Sequence, residues 1–188
     1  MRIVQMVEEE LTARKILNRK ALENALVIDL AIGGSTNATL HLPAIAREIG
    51  IKLKLESFNE WTKKIPTLCG ISPNGPWGII DLYTAGGVPA VMKMMLDDLH
   101  LDAMTITGKP VSDIVANALV NDPKVIPGRD HPFLPEGGTA VLYGNLAPGG
   151  AVVKRAAVAP EMMVHRGPAR VFDSEEDATQ AIMSGSIK

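Results

Sequence analysis

The segment NRKALENALVIDLAI, residues 18–32, limits the possible folds more than any other part of the chain. Its apolar positions Ala21, Leu22, Ala25, Leu26, Ile28, Leu30 and Ile32 cover most of a helix circumference rather than a single stripe. A helix apolar on most sides runs through an interior, so other elements must pack around it. Asp29 lies inside that helix, where a carboxylate is costly unless a cation or several donors meet it. A structural ion pair is the plainer reading of Asp29, a catalytic carboxyl the other.

Gly33-Gly34 stops this helix, because glycine accepts the left-handed conformation that helix ends favour. The run Gly33-Gly34-Ser35-Thr36-Asn37 has two readings. It is a tight corner between packed helices, or it presents bare backbone N–H groups to an anion. Ser35 or Thr36 can cap the helix that follows. On that helix Ala38, Leu42, Ile45, Ala46 and Ile49 share one face, and Asn37, His41 and Glu48 another. With a start at Ser35, Pro43 falls in the helix interior, removes one hydrogen bond and predicts a kink beside His41.

Residues 1–11 read as a helix with an acidic end. Ser57 and Glu60 stand at capping-box spacing ahead of WTKKIP. IIDLYTAGGVPAVMKMMLDDL splits into two helices at Gly86-Gly87, the second starting near Val88-Pro89. DAMTITGK reads as a short strand and PVSDIVANALV as a helix. The prolines and glycines of NDPKVIPGRDHPFLPEGG mark a boundary. Beyond it, TAVLYGNLAPGGAVVKRAAV places two β-rich runs around a turn, so the strands are adjacent. RGPARVFDS is a further strand candidate, and SEEDATQAIMSG a helix capped by Asp173 or Ser174 and ended by Gly185. Three strands and one helix are too few for an independent sheet core.

In 188 residues there is room for one domain or two small ones. A net charge of −2 and 4% aromatic residues argue against nucleic-acid binding. No apolar run approaches the ~18 residues of a membrane span. MRIVQMVEEEL turns acidic where a signal peptide stays apolar, which predicts a cytoplasmic protein. The one cysteine, Cys69, sits in PTLCGISPNG with no nearby histidine and reads as a buried, inert thiol. HExxH, GxSxG and GxGxxG are all missing. Thr107–Pro110 lacks the upstream glycine of a phosphate loop, and His41, His100, His131 and His165 have no metal-ligand spacing.

Several segments together carry a resemblance. LNRKALENALVIDLAIGGSTNATLHLPAIAREIGI, IPTLCGISPNGP, DLYTAGGVPAVM, LDAMTITGKPVSDI, PEGGTAVLYGNLAPGGAVVK and HRGPARVFDSEEDATQAI follow one another in order. Across nearly the whole chain this resembles the iron–sulfur dihydroxy-acid and sugar-acid dehydratase family. The TGK segment and GPARVFDSEE make it most similar to the dihydroxy-acid branch, which serves branched-chain amino-acid synthesis. The resemblance implies loss of water from a 2,3-dihydroxy acid to give a 2-keto acid. A cluster iron acts there as Lewis acid, a magnesium ion orients the substrate, and a serine near the C-terminus is the base.

The family's cluster cysteines and its serine segment match nothing in this sequence, so no catalytic residue and no metal ligand is assigned. The resemblance implies a mixed α/β fragment of a longer enzyme, inactive alone. Residues 1–122 would be the mostly helical end of an α/β domain. Residues 123–136 would be a linker, and 137–188 the first strands of a β-barrel-like C-terminal domain. Gly33, Gly34, Ser35, Thr36, Asn37 and His41 are then candidates to line the substrate pocket. The implied partners are the rest of the polypeptide, a small 2,3-dihydroxy acid and further copies of the enzyme. Nucleic acid and membrane are not among them. A sugar-acid dehydratase fragment and a non-catalytic carboxylate-binding module are the alternatives.

Overall fold

Two short helices, α1 (Arg2–Glu8) and α2 (Ala13–Ile16), lead into α3 (Arg19–Ala31) in the computed structural model, which describes residues 1–187. The Asn18 side chain accepts the Ala21 N–H at 3.0 Å and so supplies an orphan donor of α3 with a partner. The helix buries Leu22, Leu26, Val27, Leu30 and Ala31, and of its eight apolar residues only Ala25 is exposed. Each buried leucine contributes about 1.5–3 kcal/mol.

The chain divides into two units, Met1–Ala157 and a second that begins at Val158. Within the first, α3 packs against α4 (Ala38–Glu48), α5 (Glu56–Lys64) and α7 (Gly87–Met94). Phe58, Ile65, Leu68, Leu82, Val91, Met95 and Ile126 complete the surrounding core. The buried Asn24 amide clamps one peptide on each side of His100. It donates to the His100 carbonyl at 3.0 Å and accepts the His100 N–H at 2.8 Å. Its amide nitrogen and oxygen each thereby have a partner, which is what a buried amide requires.

Helix α6 (Ile79–Thr84) precedes α7, and Asp81 accepts the Gly78 N–H at 2.7 Å at its start. The break between the two helices falls at Gly86-Gly87, with φ of +127° and +64°. A Cβ on Gly86 would sit 2.2 Å from the Leu119 carbonyl oxygen, so only glycine fits there. Helix α8 (Val111–Ala116) follows. The strands β1 (Thr139–Leu142) and β2 (Ala151–Lys154) pair antiparallel, Thr139 opposite Lys154 and Leu142 opposite Ala151. This ribbon lies on α5, where the Asn59 amide donates to the Val141 carbonyl and accepts its N–H, both at 2.8 Å. The fold is mixed α/β, and its sheet has two strands and does not close into a barrel.

In the second unit, α9 (Glu175–Met183) starts at Ser174, whose hydroxyl accepts the Asp177 N–H at 3.1 Å. Gly185, at φ +67°, ends it. No helix among the described residues is long and apolar enough to cross a membrane.

Three local expectations differ from the structure. Ser57 lies inside the first turn of α5, its N–H given to Lys54, and Leu55 stands at the cap position without a side-chain acceptor. DAMTITGK forms a turn rather than a strand. The Thr105 N–H and hydroxyl both reach the Lys109 carbonyl, leaving one bridge between Met104 and Pro110. RGPARVFDS is irregular, with Val171 84% exposed. A strand needs a neighbour to satisfy its backbone, and this segment pairs with none of the described residues.

Candidate functional site

The last turn of α3 closes in a paired pattern. The Gly33 N–H donates to the Leu30 carbonyl at 3.2 Å, and the Gly34 N–H to the Asp29 carbonyl at 2.7 Å, with Gly33 at φ +61°. This is a Schellman ending, and it requires the left-handed residue that glycine supplies. The loop after α5 covers the helix end: the Leu68 and Cys69 N–H groups both donate to the Ala31 carbonyl, at 2.7 and 3.0 Å.

Two side chains from distant segments then take the corner's carbonyls. The Asn74 amide donates to the Gly33 carbonyl at 2.9 Å, and the Lys154 ammonium to the Gly34 carbonyl at 3.2 Å. Space is tight on both glycines. A Cβ on Gly33 would meet the Asn74 amide nitrogen at 2.6 Å, and one on Gly34 would meet Asp29 Oδ1 at 2.1 Å. The Asn74 Oδ1 is buried without a partner.

Helix α4 begins at Ala38, three residues later than a start at Ser35. Ser35 serves a tighter turn, its hydroxyl accepting the Asn37 N–H at 3.2 Å, while its carbonyl accepts the Ala38 N–H. Thr39 supplies the other local closure, its hydroxyl donating to the Thr36 carbonyl at 2.7 Å. Pro43 does lie inside the helix. Among the described residues, the N–H groups of Ser35 and Thr36 have no assigned acceptor. Two adjacent unspent donors at a bend suit a carboxylate or phosphate oxygen.

Of the six candidate residues, Gly33, Gly34 and Thr36 are half-buried, and Ser35, Asn37 and His41 are exposed. His41 sits one turn along α4, its N–H donating to the Asn37 carbonyl at 3.0 Å. Asp29 packs beneath Gly34, and burial pushes its carboxyl up to about 6, against the opposing charge of Lys154. No cation among the described residues closes to ion-pair distance with it. In place of the expected ion pair there is a longer-range interaction with Lys154, whose ammonium sits at the Gly34 carbonyl. Asn74 and Lys154 escape a reading of the sequence. SPNG looks like any turn and AVVK like any strand, and neither marks a partner 41 or 120 residues away.

Other cavities among the described residues lie away from the corner. One of about 840 Å³ is lined by α1, α2 and Ile106, one of about 450 Å³ by Pro89, Lys109 and Asn117, and one of about 300 Å³ by Ala21, Asn24 and Met104. Cys69 is fully buried, and burial pushes its thiol up to about 12. Among the described residues no three His, Cys, Asp or Glu side chains gather closely enough to hold a metal ion.

The chain is thus mixed α/β, with a glycine corner braced from two sides by Asn74 and Lys154. Residues 1–114 match the family model for the dihydroxy-acid/6-phosphogluconate dehydratase N-terminal region, and residues 124–188 that for the C-terminal region. The chain belongs to the dihydroxy-acid/6-phosphogluconate dehydratase family. Among its relatives are proteins named dihydroxy-acid dehydratase from Acetivibrio thermocellus, 55% identical, and from Methanococcoides burtonii and Ignicoccus hospitalis, each 54% identical. Each alignment covers 100% of this chain and 34% of the relative, so the chain spans about a third of the length of the curated relatives it matches.

Proposed function

We propose that the chain is part of a dihydroxy-acid dehydratase, a hydro-lyase converting 2,3-dihydroxy acids to 2-keto acids and water in branched-chain amino-acid synthesis. The observation that carries this is the identity of 54–55% over the whole chain with relatives of that name. In this reading residues 1–122 belong to the N-terminal α/β domain, 123–136 to a linker and 137–188 to the C-terminal domain. The intact enzyme is a cytoplasmic homo-oligomer.

The corner Gly33–Asn37, with His41 behind it, lines the substrate pocket. The N–H groups of Ser35 and Thr36 receive the substrate carboxylate, and the Ser35, Thr36 and Asn37 side chains supply further polar contacts. The family's iron–sulfur cluster and magnesium ion do not fit the residues of this chain. Its single thiol is enclosed by core, and among the described residues no three His, Cys, Asp or Glu side chains gather to hold a metal ion. No chemical step is therefore assigned through either group. The part left to these residues is to bind and orient the acid, which lowers the entropic cost of the reaction elsewhere in the enzyme.

The test is titration of the isotope-labelled chain with 2,3-dihydroxyisovalerate, following backbone amide resonances. Saturable shifts centred on Ser35 and Thr36 are expected. Anaerobic reconstitution with iron, sulfide and magnesium should yield no keto acid from the chain alone. Shifts scattered elsewhere, or turnover above a buffer blank, would refute the assignment. A preference for 6-phosphogluconate over the dihydroxy acid would move the chain to the family's other branch.

A further inference from the structure

We propose that Lys154 is a positioning residue for the corner: by holding the Gly34 carbonyl, it aims the Ser35 N–H at an incoming carboxylate. This deepens the reading above and rests on it. The argument is one of peptide geometry. The Gly34 carbonyl and the Ser35 N–H belong to the same planar trans peptide, so they point in opposite directions and turn together. The Lys154 ammonium, on the last residue of β2, donates to that carbonyl at 3.2 Å. The N–H at the other end of the peptide has no acceptor among the described residues.

The neighbouring peptide is already fixed by other bonds. Its Gly33 carbonyl accepts from Asn74, and its Gly34 N–H donates to the Asp29 carbonyl. The Gly34–Ser35 peptide is the next one along, and it follows a glycine, the residue type that resists rotation least. Lys154 supplies the restraint that the local sequence does not. A charged donor on the carbonyl also polarises the amide and strengthens its N–H as a donor. Lys154 thus improves the carboxylate site without touching the ligand, and Asp29 beneath Gly34 balances part of its charge.

The test uses the full chain and needs no ligand for its first arm. In wild-type protein, raising the pH until lysines deprotonate should move the Gly34 carbonyl ¹³C and Ser35 amide ¹⁵N resonances with one midpoint. Lys154→Met should displace the Ser35 amide resonance while those of Leu26 and Val27 stay in place, and Lys154→Arg should restore it. In the second arm, Lys154→Met should weaken binding of 2,3-dihydroxyisovalerate at Ser35 roughly tenfold, because the Ser35 N–H is no longer held and polarised toward the ligand, and Lys154→Arg should recover most of it. A Ser35 resonance indifferent both to lysine titration and to Lys154→Met would overturn the proposal. So would undiminished binding in a folded Lys154→Met chain. If Lys154→Met does not fold, the wild-type titration decides alone. Failure of the wild-type chain to bind the acid sinks the substrate-pocket reading, while the ligand-free resonances still judge what Lys154 does to the peptide.

Discussion

Thr62 and Thr139 are joined across 77 residues by a buried hydrogen bond, the Thr62 hydroxyl donating to the Thr139 carbonyl at 2.7 Å. It fastens α5 to the first strand of the ribbon. The Gly137 N–H donates back to the Thr62 carbonyl at 2.8 Å, so the two segments are stitched at adjacent points. Replacing the hydroxyl with a methyl group keeps the volume and leaves a buried carbonyl short of a donor. Thr62→Val should therefore lower stability by about 1–2 kcal/mol. Urea unfolding should show a reduced midpoint at unchanged slope, and Thr62→Ser should lose less than Thr62→Val.

Gly34 is a steric requirement of a different kind. A Cβ there would lie 2.1 Å from Asp29 Oδ1 and 2.9 Å from the Asp29 backbone oxygen. The carboxyl can swing aside, but the backbone oxygen belongs to the helix-ending bond and cannot. Gly34→Ala should cost about 1–3 kcal/mol through overpacking. In a double-mutant cycle, adding Asp29→Ala should recover only part of that loss, because the backbone contact remains. Full recovery would mean that the side chain alone sets the limit.

The features legible in the sequence were those written over a few adjacent residues. The apolar circumference of α3, the glycine pairs that end helices, the Ala-Pro-Gly-Gly turn of the ribbon and the Ser174 cap all depend on neighbours within one turn or hairpin. RGPARVFDS and DAMTITGK carry strand-like residues, yet a strand exists only where a second strand meets it. In the second case Gly108, at φ +77°, turns the chain away instead. The candidate site divides in the same manner. GGSTN declares a corner, whereas the bonds that brace it come from Asn74 and Lys154, whose local sequences carry no trace of that task. Asp29 stood out as a charge in an apolar helix, but its partner could not be read, because Lys154 sits 125 positions away by number and reaches Gly34 rather than the carboxyl.

Cys69 offers a check on the core beside the corner. It is fully buried, and its thiol is pushed up to about 12, so the nucleophilic thiolate is scarce at neutral pH. The native chain at pH 8 should react with an aromatic disulfide reagent only as fast as it opens, while the chain in concentrated denaturant should react at once with one equivalent. Rapid stoichiometric reaction of the native chain would show that the loop covering the end of α3 is not closed as described.

Asp29 makes stability depend on pH in a direction opposite to that of an ion-paired carboxylate. Burial raises its carboxyl from an ordinary 3.8 to about 6 in the folded chain, so the folded state binds the proton more tightly than the unfolded state. Folding is then least penalised by this group below about pH 4, becomes more penalised as the pH rises through about 6, and is indifferent to pH above that. At about 1.4 kcal/mol per pH unit the full penalty would be about 3 kcal/mol. Solvent reaches part of the carboxyl, which reduces the figure to about 1–2 kcal/mol. Asp29→Asn should accordingly stabilise the chain by about 1–2 kcal/mol at pH 8 and by almost nothing at pH 4. Urea unfolding of both proteins at intervals from pH 4 to pH 8 measures the difference directly, and subtracting one curve from the other removes the other titrating groups. A gain that shrinks as the pH rises would mean that Asp29 is held as a well-compensated carboxylate, with Lys154 closer to it than to Gly34.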